Sequence, residues 1–383
     1  MSDKSDKVSI VVFIDALGWE VLKGRRFLED ELPFRSKLRS VFGFSSACVP
    51  SILTGRLPRD HGHWSFFYHT RGKSPFRALR SLRWLPRALT DRGRVRAQIS
   101  KLVKRAYGFQ GYFQLYNMPF ELIDRFDYCE KRDLFSCGGI NRGDSIFDHL
   151  ERSGVSYHCS DWRQPEEVNL ASLNSSLREG QISFAFLYMA SMDALLHQVG
   201  KSSDQVDVKL EWYEQRLREI LALARQHYRE VRLFVCSDHG MATVERSIDI
   251  SSRVADLGLA EGRDFVATYD STMARFWFYS DEARRRITTL LSDIPEGRVL
   301  ADDELAALGC DFDGRQYGEL IFLLDAGVII VPSHMGTKPI TGMHGYHPDH
   351  PDSDASLLSN VPPPVPSACI TDVFHLMRAE AGA

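Results

Sequence analysis

The chain has 383 residues, of which 44% are apolar and 26% charged, with a formal net charge of −4. That is enough for one large α/β domain, or two ordinary ones, around a sizeable core. No long acidic or basic tail is present, so partner preference has to be sought in the local distribution of charge.

The first seven residues are polar, and no apolar signal-peptide core follows them; the expectation is a chain without a secretory signal. The apolar run Val8–Leu17 is only about half the length a membrane-spanning helix needs. Its first part, Val8–Ile14, reads as a strand that ends at Asp15, with Gly18 just beyond. A carboxylate there suits a metal ligand or a helix N-cap.

Next comes Ser45, ten residues before Gly55. The spacing predicts a helix from about Ser46 that stops at Gly55 as its C-terminal glycine. A hydroxyl at a helix start sits among unpaired amides that favour a phosphate, or simply caps the helix. Cys48, close by, reads as a small buried hydrophobe.

Residues 66–140 and 245–335 interrupt the alternation of strand and helix patterns. Both are read as insertions in a single catalytic domain, forming a basic cap and a second cap or subdomain over the strand ends. Residues 71–105 hold twelve Lys or Arg and one acid, Asp91. Phe76, Leu79, Leu82, Trp84 and Leu85 are interleaved with Arg77, Arg80, Arg83 and Arg87. This pattern fits an anionic membrane contact, a clamp for a polyanionic substrate, or a solvated face packed on the core. Nucleic acid is a weaker expectation, because no recognised binding motif accompanies the charge. Phe109, Tyr112, Phe113 and Tyr116 would stack on a ligand or fill the cap.

Strand patterns recur at Val155–Cys159, Ser183–Tyr188 and Val231–Cys236, leading to Asp161, Asp193 and Asp238. A helical period with interleaved charges covers 203–229. Their continuous apolar runs suit a parallel sheet buried on both faces, with candidate ligands just past the strand ends. Asp193 and His197 share one helix face. Asp238-His239-Gly240 leaves a strand end together, and His344 lies in Gly342-Met343-His344-Gly345-Tyr346. A Pro-rich strap at 361–366 precedes a last helix near 371–380. Seven dispersed cysteines (48, 129, 137, 159, 236, 310, 369) lack C-x-x-C spacing and suggest reduced thiols in a cytosol.

Six carboxylates and imidazoles with one serine hydroxyl supply what a two-metal phosphoryl-transfer site requires. The ordered motifs resemble the alkaline phosphatase superfamily, in its type I phosphodiesterase/nucleotide pyrophosphatase branch. The resemblance is carried by Asp15, Ser45, Thr54-Gly55 with Pro58 and His61-Gly62, Asp193 with His197 and Gly200, Ser237-Asp238-His239-Gly240-Met241, and Gly342 to Tyr346. It implies an α/β fold with a mostly parallel central sheet and helices on both faces. It implies one divalent metal on Asp193, His197 and His344, a second on Asp15, Asp238 and His239, and Ser45 as a metal-bridging nucleophile that becomes phosphorylated. Zinc suits the donor set, with manganese as competitor.

The expected activity is hydrolysis of phosphorylated small-molecule or lipid substrates by a cytoplasmic protein, peripheral to a membrane if the basic segment binds one. Val49 stands where sulfatases of the superfamily need Arg, and Phe44-Ser45-Ser46-Ala47 differs from the phosphoglycerate mutase motif. The diesterase branch often has Thr as nucleophile and an Asn a little further on; Ser45 without a following Asn leaves monoester and diester substrates both open. Phosphotransfer and a catalytically silent phosphate- or lipid-binding role are the alternatives.

Overall fold

The computed structural model describes residues 5–86, 90 and 92–382. In chain order, the first seven strands are β1 (Ser5–Ile14), β2 (Phe34–Leu38), β3 (Phe67–His69), β4 (Phe126–Tyr128), β5 (Tyr157–Cys159), β6 (Phe184–Met189) and β7 (Tyr228–Cys236). The central six-stranded sheet runs β2, Ala355–Ser359, β7, β1, β6, β5. β1 is parallel to both neighbours, with Val12 opposite Leu187 of β6 and Val235 of β7. Strand Ala355–Ser359 is antiparallel to β7 and to β2. The parallel centre agrees with the continuous apolar runs, while the antiparallel edge does not follow from them.

β1 shows why both faces had to be apolar. Val11 and Phe13 belong to one buried cluster, with Ile52 and Leu376. Ile10, Val12 and Ile14 point to the other face, packing in a cluster with Leu210 and Leu217. A period of two thus loads both sides of the strand. Leu210 and Leu217 come from the long helix Asp204–His227, capped by Ser203 accepting from the Gln205 amide. The last helix is Asp372–Ala381.

Residues 245–335 contain a second, antiparallel sheet in the order Phe265–Tyr269, Met273–Phe278, Leu320–Leu324, Gly297–Val299. Helix Asp281–Ser292 contributes Ala283, Ile287 and Leu291 to the cluster on this sheet. In residues 66–140, β3 and β4 pair antiparallel, and Phe76, Phe109, Phe113 and Phe126 form an aromatic cluster. That cluster includes Val266 and Trp277 of the second sheet. Fully buried Arg275 links the two segments: it donates to Asp270 Oδ2 at 2.8 Å, Ser65 Oγ at 3.0 Å, and the carbonyls of Phe67 at 3.1 Å and Tyr317 at 3.0 Å.

The basic stretch divides. Phe76 is fully buried, and Arg96 is buried as well, donating to the carbonyls of Thr90, Tyr116 and Met118. The 3₁₀ helix Arg77–Trp84 has no buried residue, and Trp84 is 78% exposed. Leu85 and Leu102 are exposed too. Arg87 and Asp91 lie outside the described residues.

Candidate active site

β7, β1 and β6 are adjacent and parallel, so their carboxyl ends reach one edge of the sheet together. Asp15 follows β1 directly, Asp238 comes just after β7, and Asp193 lies in the first turn of helix Ser191–Val199 beyond β6. Gly18 and Gly240 are the close approach between the first two turns: a Cβ on Gly18 would lie 2.2 Å from Gly240 Cα. Only hydrogen fits there. Residues Gly342–Met343 pair antiparallel with Ala242–Thr243, which carries His344 back beside His239. Their rings stack with centroids 3.7 Å apart.

Ser45 opens helix Ser45–Thr54, one residue earlier than the sequence suggested, and Gly55 closes it at φ 67°. Ser45 Oγ is 3.0 Å from His239 Nε2. Ser46 turns away and donates to the Trp64 carbonyl at 2.8 Å, and Ser51 pairs with His61 in the core. Cys48 is wholly buried against Ser40, and burial pushes its thiol well up.

The seven predicted site residues therefore converge. Asp193, His197 and His344 offer ligand atoms within 4.8 Å of one another, and so do Asp15, Asp238 and His239. Asp193 Oδ1 is 3.3 Å from His197 Nε2 and 3.5 Å from His344 Nε2. His239 Nε2 is 3.2 Å from Asp238 Oδ2 and 3.7 Å from Asp15 Oδ1. Nδ1 of His197 lies 2.8 Å from the Gly342 carbonyl, and Nδ1 of His239 lies 2.9 Å from the Gly240 carbonyl. Carbonyls only accept, so each Nδ1 donates, and Nε2 is the nitrogen turned toward the ligand set.

Burial and mutual repulsion govern the carboxylates. Burial, with Asp238 and Asp193 nearby, raises Asp15 well above the usual range; burial first and Asp193 next push Asp238 up to about 7. Burial also opposes charge on Asp193, yet the His197 and His344 imidazoles close to it hold its carboxyl low. Burial and the neighbouring His239 keep His344 neutral, its pKa far below the usual value. Asp15 Oδ1, Asp193 Oδ1, Asp238 Oδ2 and His344 Nδ1 are buried with no hydrogen-bond partner. Unsatisfied acceptors at this density need a cation, so the residues fit two divalent ions.

Tyr188, whose hydroxyl donates to Asp15 Oδ2 at 2.7 Å, was passed over in reading the sequence. It ends the strand pattern that led to Asp193, and its alternation toward the site was the available signal. A cavity of about 550 Å³ opens at Ser45, lined among others by Phe66, Tyr112, Tyr116, Glu130, Trp162 and Met335. Of the four aromatics near 109–116, Phe109 and Phe113 fill the cap core, while Tyr112 and Tyr116 face the cavity.

Residues 10–347 match the model of the family "Type I phosphodiesterase / nucleotide pyrophosphatase". No curated relative matches the chain. Among solved structures, murine ectonucleotide pyrophosphatase/phosphodiesterase 5 is similar at TM-score 0.68 and 16% identity, over 98% of this chain and 95% of that one. The human protein of the same name is similar at TM-score 0.69 and 14% identity, over 98% and 95%. An inactive form of the murine protein in complex with AMP gives 0.67 and 15%, over 99% and 95%. At these identities the structural likeness speaks for the fold. The family match over most of the length speaks for descent: the chain belongs to the type I phosphodiesterase/nucleotide pyrophosphatase family of the alkaline phosphatase superfamily.

Proposed function

We propose that the chain hydrolyses phosphodiesters with two divalent metal ions and Ser45 as nucleophile. Family membership supports a phosphodiester hydrolase. The observation that carries the finer reading is Ser45 Oγ, 3.0 Å from His239 Nε2 beside the two stacked ligand sets. Asp193, His197 and His344 would hold one ion; Asp15, Asp238 and His239 would hold the other, with Ser45 between. Bound there, the ions would supply Lewis acidity toward phosphoryl oxygens and lower the serine pKa. The donor set suits zinc, with manganese as competitor.

The chain's own residues do the rest. The start of helix Ser45–Thr54 presents first-turn amides and the positive end of its dipole to a phosphate. Ser45 Oγ bonds to phosphorus as the bond to one alcohol breaks, leaving a phosphodiester-linked serine. Water then cleaves the serine–phosphorus bond. The net change is diester plus water to monoester plus alcohol. Tyr188 fixes Asp15, and the Gly342 and Gly240 carbonyls fix the imidazoles.

Because a structural relative was solved with AMP, nucleoside phosphate esters belong among the first substrates to try. The exposed Trp84, Leu85 and Leu102 beside exposed arginines support contact with an anionic lipid surface. No helix among the described residues is long and apolar enough to cross a membrane. We place the protein in the cytosol, docked peripherally. The deciding experiment is hydrolysis of bis-p-nitrophenyl phosphate with added Zn²⁺ or Mn²⁺, with acid quench and mass spectrometry of the Ser45 peptide. Turnover without any serine adduct under rapid quench would replace the covalent route by direct attack of water.

A further inference from the structure

Glu166 opens helix Glu166–Glu179, the crossover between β5 and β6, and its side chain turns inward, leaving the residue 6% exposed. Three helices meet at its carboxylate. Oε1 accepts from the Ser191 amide at 2.8 Å and from the buried Tyr213 hydroxyl at 2.9 Å. Oε2 accepts from Lys209 Nζ at 2.8 Å, which offsets its charge. Lys209 and Tyr213 lie on helix Asp204–His227, and Ser191 is the first residue of helix Ser191–Val199. The Lys209 ammonium is itself held over the Trp212 and Tyr213 rings, 4.0 Å and 4.5 Å from their centroids.

The carboxylate thus grips the start of the helix that carries two ligands of one metal set. Asp193 lies in its first turn, and His197 one turn further. Ala190, at the cap position, makes no side-chain hydrogen bond, so the first-turn amides need an acceptor from elsewhere. Glu166 supplies one across space. The other end of the helix is held independently: the Thr341 amide donates to the His197 carbonyl at 3.0 Å, and Thr341 Oγ1 donates to the Gln198 carbonyl at 2.8 Å. Release of the first turn would therefore move Asp193 while His197 stayed anchored. Asp193 Oδ1 is the atom both imidazoles approach, at 3.3 Å from His197 Nε2 and 3.5 Å from His344 Nε2, so its displacement breaks up that set. Asp15, Asp238 and His239 come from the turns after β1 and β7, outside this clamp.

We propose that Glu166 is a positioning residue for one of the two metal sites. By fixing the first turn of Ser191–Val199 it sets Asp193 against His197 and His344, and so governs the affinity of that site alone. This rests on the two-metal reading. A clamp that served only helix packing would lower stability without distinguishing one ion from the other. Loss of a group that orients a ligand costs a metal site about 10–100-fold in affinity.

The test is zinc binding by the full chain, read by competition with a chromophoric chelator. Wild type should hold two ions. Folded Glu166→Ala should keep one at wild-type affinity and bind the other at least tenfold more weakly. Glu166→Gln, which retains an acceptor for the Ser191 amide, should keep both. Two backgrounds identify the ion. In His197→Ala, where the Asp15 set remains, adding Glu166→Ala should change nothing; in Asp238→Asn it should weaken the ion that is left. Turnover of bis-p-nitrophenyl phosphate by Glu166→Ala should recover as Zn²⁺ is raised, a rescue that a packing defect would not show. Glu380→Gln is the control: this buried carboxylate pairs with Lys7 and Arg232 near the opposite end of β1, and its loss should lower Tm and leave both ions in place. If Glu166→Ala does not fold, Glu166→Asp, a methylene shorter and still charged toward Lys209, carries the same expectation. Two ions at wild-type affinity in the folded variant, or equal weakening of both, overturns the inference. A wild type that holds fewer than two ions refutes the two-metal reading itself, a separate result.

Discussion

His239 and His344 stack face to face, 3.7 Å between centroids and 11° between planes, although each belongs to a different ligand set. Neutral imidazoles tolerate this contact; two imidazolium ions would not. The pair therefore joins the two sets into one unit, and disturbing either ring should be felt by both.

The metal content is the first expectation. Protein purified without chelator should carry close to two divalent ions per chain by elemental analysis. His344→Ala or Asp238→Asn should lower that number, and chelation should lower Tm, because an ion that binds only the folded state stabilises it. Full activity in a chain shown to be metal-free would refute this.

Ser45→Ala should cut turnover of bis-p-nitrophenyl phosphate by roughly three orders of magnitude or more with metal content and Tm retained, as for loss of a covalent nucleophile. Ser46→Ala should spare most activity and instead cost about 1 kcal/mol of stability, since its hydroxyl bonds the Trp64 carbonyl. Reversal of these two results would mean that Ser46 is the attacking residue.

Replacing Arg275 by Leu should destabilise the fold by about 3–5 kcal/mol in urea unfolding, because Asp270 is left buried and unpaired. Gly18→Ala should be disruptive too: its methyl would collide with the Gly240 backbone, between the turns that carry Asp15 and Asp238. A wild-type denaturation midpoint for either variant would contradict the packing described.

The pH dependence of Glu130 has a definite sign. Burial raises its carboxyl from an ordinary 4.5 to about 8 in the folded chain. Between those values the folded state binds more protons than the unfolded one, so its contribution to stability falls as pH rises from about 4.5 to about 8. Glu130→Gln should remove that loss. The Tm difference, variant minus wild type, should grow across this window; a flat difference would show that Glu130 is solvated or paired.

Neutralising Arg77, Arg83, Arg94 and Lys101 together should weaken binding to anionic vesicles, with a steep salt dependence in wild type, since exposed charge is screened within about 10 Å at 0.1 M salt. Turnover of a small nitrophenyl ester should hardly change. Equal vesicle binding by variant and wild type would leave the segment as a solvated face.

Much of this was legible because the relevant patterns are local. Continuous apolar runs gave β1, β6 and β7, and Gly55 ended the helix where expected. The seven site residues were readable because parallel strands deliver their ends to one edge. Ala355–Ser359 was not read as a strand: its partners are far away in sequence, and pairing, not periodicity, defines it. Glu130 escaped notice for a related reason. An isolated Glu after a short strand is ordinary until the fold brings Tyr112, Tyr116 and Trp162 around it. The basic stretch was legible as charge, but the burial of Arg96 among backbone carbonyls depends on a loop some twenty residues further on.

The place of Ala355–Ser359 between β7 and β2 has a consequence for synthesis. β2 leads to Ser45, yet its sheet neighbour is a strand synthesised only after every one of the site residues. A chain stopped after Tyr346 would contain all seven site residues and still lack the strand that anchors the nucleophile's segment to the rest. The site should thus remain unassembled, and unable to retain metal, until residues 355–359 have been made. An arrested nascent chain would gain metal affinity in one late step rather than ligand by ligand.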